Sequence, residues 1–109
     1  MNGTTVAYKN TAIASHTATG AETSTTSVTA TFPGNSTAIP RRLRASGSVS
    51  GFVELQVSQN AYISLPVNPN APFTEIMIPA NAFNGPVTGA AILFQADGAG
   101  TLRAFLDGN

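Results

Sequence analysis

Residues 51–67 read Gly-Phe-Val-Glu-Leu-Gln-Val-Ser-Gln-Asn-Ala-Tyr-Ile-Ser-Leu-Pro-Val, and this stretch decides the fold. In its first half Val53, Leu55 and Val57 recur at every second position, the pattern of a strand with one buried face. A second apolar run follows the polar Gln59-Asn60 pair, whose length suits a tight turn and whose Asn tolerates a positive φ. The stretch therefore predicts a β-hairpin, which we expect at the centre of a sheet.

Other segments also favour short strands, most of them by alternation of apolar and polar residues, and Gly, Pro, Asn or Asp separate them. These segments are residues 4–9, 11–19, 27–32, 41–49, 73–78, 90–96 and 101–106. The first two carry few large apolar residues and suit an edge strand or an arm. The run 90–96 is the most apolar, and we expect it to be covered on both faces.

Three connections between these segments have distinct chemistry. The Pro-rich stretch 66–72 predicts an extended link outside any ladder, because proline lacks a donor and restricts the residue before it. Residues 80–83 allow one helical turn. The run Asp97-Gly98-Ala99-Gly100 predicts a hairpin between the last two strands, since Asp-Gly is a favoured hairpin turn.

Short strands at regular spacing, with turn residues between them, are typical of antiparallel sandwiches. The scarcity of Glu, Lys and Leu and the abundance of Ser, Thr and Val argue against helices. We therefore predict an all-β fold, an antiparallel β-sandwich or jelly roll of about eight short strands. It should form a single domain over residues 1–109, with residues 1–19 as an edge strand or arm.

Charge and cysteine content exclude several classes of function. Only 9% of the residues are charged and the formal net charge is +0, so nucleic acid and membrane surfaces are not expected partners. The chain has no cysteine, which excludes disulfides and thiolate metal sites. We expect no cofactor or metal. No secretory signal or apolar run of membrane-spanning length is recognisable, which predicts synthesis in the cytoplasm.

The titratable residues suggest no catalytic centre. His16 follows Ser15, but neighbouring strand residues point to opposite faces and do not form a nucleophile–base pair. We expect a structural or solvated histidine. The acidic residues are isolated in sequence and are expected on solvated faces or turns: Glu22, Glu54, Glu75, Asp97 and Asp107. The chain is accordingly predicted not to be an enzyme.

A contact surface is predicted from one arginine cluster and three aromatic residues. Arg41, Arg42 and Arg44 form the sole charge cluster, and Arg is enriched at protein interfaces. A solvated strand is the alternative, and a nucleic-acid site fits poorly with zero net charge. Phe52, Phe73 and Phe105 fall opposite the apolar faces of their strands, where large apolar groups suggest association, unless the register shifts by one residue.

Four features together resemble small all-β virion proteins of bacteriophages, such as capsid decoration or cement proteins and minor coat or spike subunits. They are the start Met-Asn-Gly-Thr-Thr-Val, the Ser/Thr-rich strands through Phe32, the proline-rich crossover Pro66–Pro72 and the terminal hairpin Ile92–Leu106. The resemblance implies a non-enzymatic virion protein that binds and stabilises or decorates a capsid lattice. Its partners would be other virion proteins and further copies of itself.

The alternative function is a carbohydrate-binding or adhesin-like β-sandwich, in which surface aromatics stack on sugar rings. The chain has no Trp, and its tyrosines are Tyr8 and Tyr62. This composition favours the virion interpretation over sugar binding. An enzyme ranks third, because one His, no Cys and five scattered carboxylates leave few chemistries.

Overall fold

The structure is a computed structural model, and it describes residues 12–31, 40–58, 61–71, 73–79 and 88–107. These residues form eight strands, bounded as follows: β1 Ala14–Ala18, β2 Thr26–Thr31, β3 Arg41–Gly47, β4 Gly51–Ser58, β5 Ala61–Val67, β6 Thr74–Ile78, β7 Thr88–Ala96 and β8 Gly100–Asp107. The predicted all-β fold is confirmed. The predictions for residues 4–9 and 80–83 lie outside the described residues.

The strands form two four-stranded antiparallel sheets. Sheet I has the order β1-β8-β3-β6, and sheet II has the order β2-β7-β4-β5. Within the sheets β1 pairs with β8, β2 with β7, β3 with β6 and β4 with β5. The chain is thus a long antiparallel ribbon, closed by the β4–β5 hairpin and wrapped into two layers. This nested pairing in an eight-stranded sandwich is the topology of a jelly roll.

The core lies between the inner faces of the two sheets. Its largest apolar side chains are at most 1% exposed: Leu43, Val53, Leu55, Ile78, Ile92, Phe94, Leu102 and Leu106. They alternate along β3, β4, β6, β7 and β8 with residues that face outward, as a half-buried strand requires. Each contributes roughly 1.5–3 kcal/mol by leaving water. The eight therefore supply most of the driving force for stacking the two sheets.

The predicted pairing within residues 51–67 is confirmed, while the Gln59-Asn60 turn lies outside the described residues. The predicted place at the centre of a sheet is wrong for β5. Strands β4 and β5 pair from Gly51↔Val67 to Ser58↔Ala61, and β5 is an edge strand of sheet II. The edge position also corrects the prediction for Pro66, which lies inside β5 opposite Phe52. Proline is tolerated there because an edge strand has ladder donors that face away from the sheet.

The predicted hairpin at Asp97–Gly100 is also wrong. Strand β7 belongs to sheet II and β8 to sheet I, so this turn carries the chain from one sheet to the other. The β3–β4 connection crosses between the sheets beside it. The two corners are joined where Asp97 N–H donates to Ser50 O at 2.9 Å and Ser48 N–H donates to Thr101 O at 3.0 Å. The ribbon therefore bends as a unit and keeps its pairing.

Close approach of the β4 and β7 backbones at this bend explains why residue 51 is glycine. A Cβ at Gly51 would collide with the carbonyl oxygen of Gln95 and lie 3.0 Å from the Cα of Ala96. Both contacts are with backbone that cannot rotate away. Gly51 thus lets β4 and β7 stay paired up to the corner.

Candidate functional site

The predicted arginines and two of the predicted phenylalanines lie on or beside β3 and β8. Cross-strand partners share a face, and on the outer face of sheet I Arg44 lies opposite Phe105 and Arg42 opposite Asp107. Arg41 instead lies on the inner face, opposite Ile78, and is 1% exposed. Burial lowers the pKa of Arg41. The three arginines therefore do not form one surface cluster.

Arg44 contacts two aromatic rings and a carboxylate. Its guanidinium carbon lies 4.5 Å from the ring centroid of Phe73 and 4.7 Å from that of Phe105. The two rings meet edge to face, with centroids 5.5 Å apart. Arg44 Nε donates to Asp107 Oδ2 at 2.7 Å and Nη2 donates to Oδ1 at 3.2 Å. We call these four residues the Arg44 cluster.

The Arg44 cluster is a packed structural unit. Arg44 is 4% exposed, Phe105 8% and Asp107 0%. The prediction that the acidic residues lie on solvated faces or turns is therefore wrong for Asp107. Cation–π contact and a bidentate carboxylate together satisfy the guanidinium inside the chain.

Arg42 completes the charged group on this face. Its Nε lies 3.5 Å from Glu75 Oε2, and its Nη1 lies 3.9 Å from Asp107 Oδ2. Its side chain is 14% exposed, whereas that of Glu75 is 44% exposed. Arg42 thus links β8 to the edge strand β6 across β3.

Burial separates the six residues predicted at protein contacts. Arg41, Arg44 and Phe105 are at most 8% exposed, so they offer almost no side-chain surface to a partner. Phe52 is half-buried on the outer face of sheet II. Phe73 is 41% exposed. Contact with a partner stays a prediction, and among the six Phe73 has the surface that suits it best.

Two exposed residues that sequence reasoning missed lie beside Phe73. Ile76 is 40% exposed and Met77 is 46% exposed, although Ile76 faces inward opposite Leu43 and Met77 faces outward opposite Arg42. Three successive apolar residues in a five-residue strand, Ile76 to Ile78, were the signal in the sequence. We call Phe73, Ile76 and Met77 the β6 edge.

His16 has a structural role at the other side of the sandwich. Its ring stacks on Phe94, with centroids 5.9 Å apart, and its Nε2 lies 2.8 Å from Glu22 Oε2. Glu22 Oε1 in turn accepts a hydrogen bond from Ala96 N–H at 2.9 Å. Ser15 is exposed on the opposite face of β1, so the predicted separation from His16 is confirmed.

Glu22 connects the two sheets through backbone and side chain. Its N–H donates to Ala96 O at 2.9 Å, and its carbonyl accepts from Gln95 Nε2 at 3.0 Å. The hydrogen bond from Ala96 N–H, followed by that with His16, lowers the pKa of Glu22. The carboxylate therefore ties the edge strand β1 of sheet I to the end of β7 in sheet II.

The part of the chain that the structure describes contains none of three other kinds of site. No group of three His, Cys, Asp or Glu there is arranged to hold a metal ion. No pocket is present among those residues. None of them lies in a helix long and apolar enough to cross a membrane. The exposed large apolar side chains there are Tyr62 on β5 and the three of the β6 edge, which is the candidate site.

Comparisons with known proteins give little. No protein-family model matches the chain, and no curated protein matches it. Among solved structures the chain is similar to one named BiXyn10A CBM1 APO, at a TM-score of 0.42 and 13% sequence identity, over 93% of this chain and 92% of that chain. A likeness at this level carries no argument about what this chain does.

Proposed function

We propose that this chain is a non-enzymatic structural subunit that works by binding other protein subunits, and that its contacts are made at the β6 edge. The observation that carries the proposal is the exposure of Ile76 and Met77 on the edge strand β6 and of Phe73 just before it. Large apolar side chains grouped on a surface mark sites of association. Aromatic and Met side chains are also enriched at the centre of protein interfaces.

The chain's charge supports contacts of this kind. With a formal net charge of +0, subunits do not repel one another over long range. Near the β6 edge the charges are matched within the chain, since Glu75 lies beside Arg42. A partner that covers Ile76 and Met77 therefore does not have to bury an uncompensated charge.

We place this subunit in a bacteriophage virion, where it would decorate or stabilise the capsid. This setting rests on the resemblance of the sequence to small all-β virion proteins. Jelly rolls occur in viral capsid domains and in lectins, so the fold admits the virion setting and sugar binding alike. The virion setting stays a prediction that a binding experiment must test.

The test is co-sedimentation with empty capsid shells purified from a phage that carries this chain. We expect the parent protein to pellet with the shells and Met77→Glu to stay in the supernatant. The matched control is Ser15→Glu, because Ser15 lies opposite Arg103 just as Met77 lies opposite Arg42. Both variants thus place a Glu opposite an Arg on an edge strand of sheet I, and Ser15→Glu should still pellet. A parent that never pellets with shells contradicts the virion setting.

Sugar binding is the second candidate, and the exposed rings of Tyr62 and Phe73 are the observation that favours it. Tyr62 lies at the start of β5. Phe73 precedes Thr74, whose Oγ1 donates to Pro66 O near the end of β5 at 2.5 Å. The two rings therefore lie near opposite ends of β5. Tyr62 and Pro66 are four residues apart, roughly 13 Å along a strand. The rings are therefore not neighbours on one sugar-stacking platform. Affinity electrophoresis in soluble polysaccharides, with Tyr62→Ala as the variant, decides this candidate.

A further inference from the structure

Within the part of the chain that the structure describes, four strands lie at sheet edges, and they differ in how open they are to another strand. Edges β1 and β2 carry no large exposed apolar side chain among the described residues, and β5 contains Pro66, which lacks a donor. Strand β6 contains no proline and exposes Ile76 and Met77. Natural edge strands are protected by proline, charge or bulges, and β6 has Glu75 as its sole charge. It is the edge best suited to strand addition.

The sequence of β6, Thr-Glu-Ile-Met-Ile, is complementary to itself when two copies run antiparallel. In the register centred on Ile76, each Ile76 faces its symmetry mate. Each Glu75 then faces a Met77, and each Thr74 faces an Ile78. Like charges directly opposite one another would destabilise the pair, and this register has none. Each Glu75 also keeps Arg42 as a neighbour within its own chain.

We propose that the partner at the β6 edge is a second copy of this chain, paired antiparallel through β6 with Ile76 on the two-fold axis. The inference rests on the proposed function, which it narrows to self-association. Pairing joins the two copies of sheet I into one continuous eight-stranded sheet. Such an interface is isologous, so it closes at two subunits and does not propagate.

The small size of this interface limits the affinity of the dimer. A five-residue strand and its flanking side chains form a contact smaller than the roughly 1,200–2,000 Å² of stable protein interfaces. We therefore expect association that depends on concentration, with a Kd in about the micromolar range or weaker. Binding of many copies to one lattice would strengthen it by avidity.

The absence of cysteine from the chain allows a direct test of the register. Paired residues on antiparallel strands have Cα atoms about 4.5–5.5 Å apart, within the range that a disulfide spans. Ile76→Cys should therefore form a covalent dimer under mild oxidation, which reducing agent reverses. Thr74→Cys is the control, because the two copies of residue 74 would lie about 13 Å apart. An equimolar mixture of Glu75→Cys and Met77→Cys proteins should give the mixed dimer.

The proposal is overturned if Ile76→Cys cross-links no faster than Thr74→Cys and the mixed pair gives no excess of mixed dimer. It is also overturned if the parent chain stays monomeric up to roughly 1 mM, where a dimer of millimolar Kd is populated. Shell co-sedimentation separates the two proposals. If the parent pellets with shells but does not cross-link at Ile76, self-pairing fails and the structural role stands.

Discussion

Arg44 and Asp107, 63 residues apart in sequence, form a buried bidentate ion pair on the outer face of sheet I. Asp107 is 0% exposed and Arg44 is 4% exposed, and the rings of Phe73 and Phe105 both pack against the guanidinium. The buried guanidinium charge of Arg44 is stabilised by the carboxylate of Asp107. The pair therefore fixes β3 against β8 and holds Phe73 near the start of β6.

Asp107→Asn should destabilise the fold strongly, because it leaves the Arg44 charge buried without its carboxylate. Breaking a buried pair in this way costs about 3–5 kcal/mol. The measurement is urea unfolding followed by circular dichroism. Glu75→Gln is the control, since its carboxylate is 44% exposed beside Arg42 and should contribute about 1 kcal/mol or less. If Asp107→Asn lowered the free energy of unfolding no more than Glu75→Gln does, the Arg44 cluster would not stabilise the chain.

Glu22 predicts how stability depends on pH. Its hydrogen bonds with Ala96 and His16 lower its pKa from the ordinary value of 4.5. A carboxyl whose pKa is depressed by folding stabilises the protein above its unfolded pKa, and this contribution disappears as the pH falls through the folded pKa. Comparison with Glu22→Gln isolates the effect, because the amide keeps the geometry without the charge.

The stability advantage of the parent over Glu22→Gln should therefore shrink as the pH falls below 4.5 and through the lowered pKa of Glu22. Urea unfolding at several pH values in that range measures it. The other carboxyl groups titrate equally in both proteins and cancel in the difference. An advantage that stays constant over this range would mean that the carboxylate does not hold β1 to β7.

Gly51→Ala tests the bend of the ribbon. The added methyl group meets the backbone of Gln95 and Ala96, so β4 and β7 must separate at the corner. We expect a loss of roughly 1–3 kcal/mol, as for other overpacked sites. Gly20→Ala is the matched control, because a Cβ at Gly20 has nothing within 4 Å and should change stability by about 0.5 kcal/mol or less. Thermal melting of both variants decides the prediction.

Patterns that depend on one strand were predictable from the sequence. The alternation of Val53 and Leu55 identified the buried face of β4, because a strand packed on one side must place every second residue inward. Likewise the length of the Gln59-Asn60 link predicted the β4–β5 pairing. Such signals lie within a few residues of the feature that they predict.

Features that depend on which strands become neighbours were not predictable. The Asp97-Gly98 turn reverses the chain, but its local chemistry is the same whether the next strand joins sheet II or sheet I. Arg44 was predicted as part of a contact surface, and its burial follows from contacts with distant Phe105 and Asp107. The exposure of Ile76 follows from the position of β6 at a sheet edge. The candidate site is therefore a product of topology.

Sedimentation velocity over a range of protein concentrations tests the central claim most directly, namely that this chain associates through the β6 edge. For the parent we expect the mass to rise from 11.1 kDa toward twice that value as concentration increases. Met77→Glu should stay monomeric, and Ser15→Glu should behave as the parent does. A parent that remains monomeric throughout, or a Met77→Glu variant that associates as strongly as Ser15→Glu, would contradict the account.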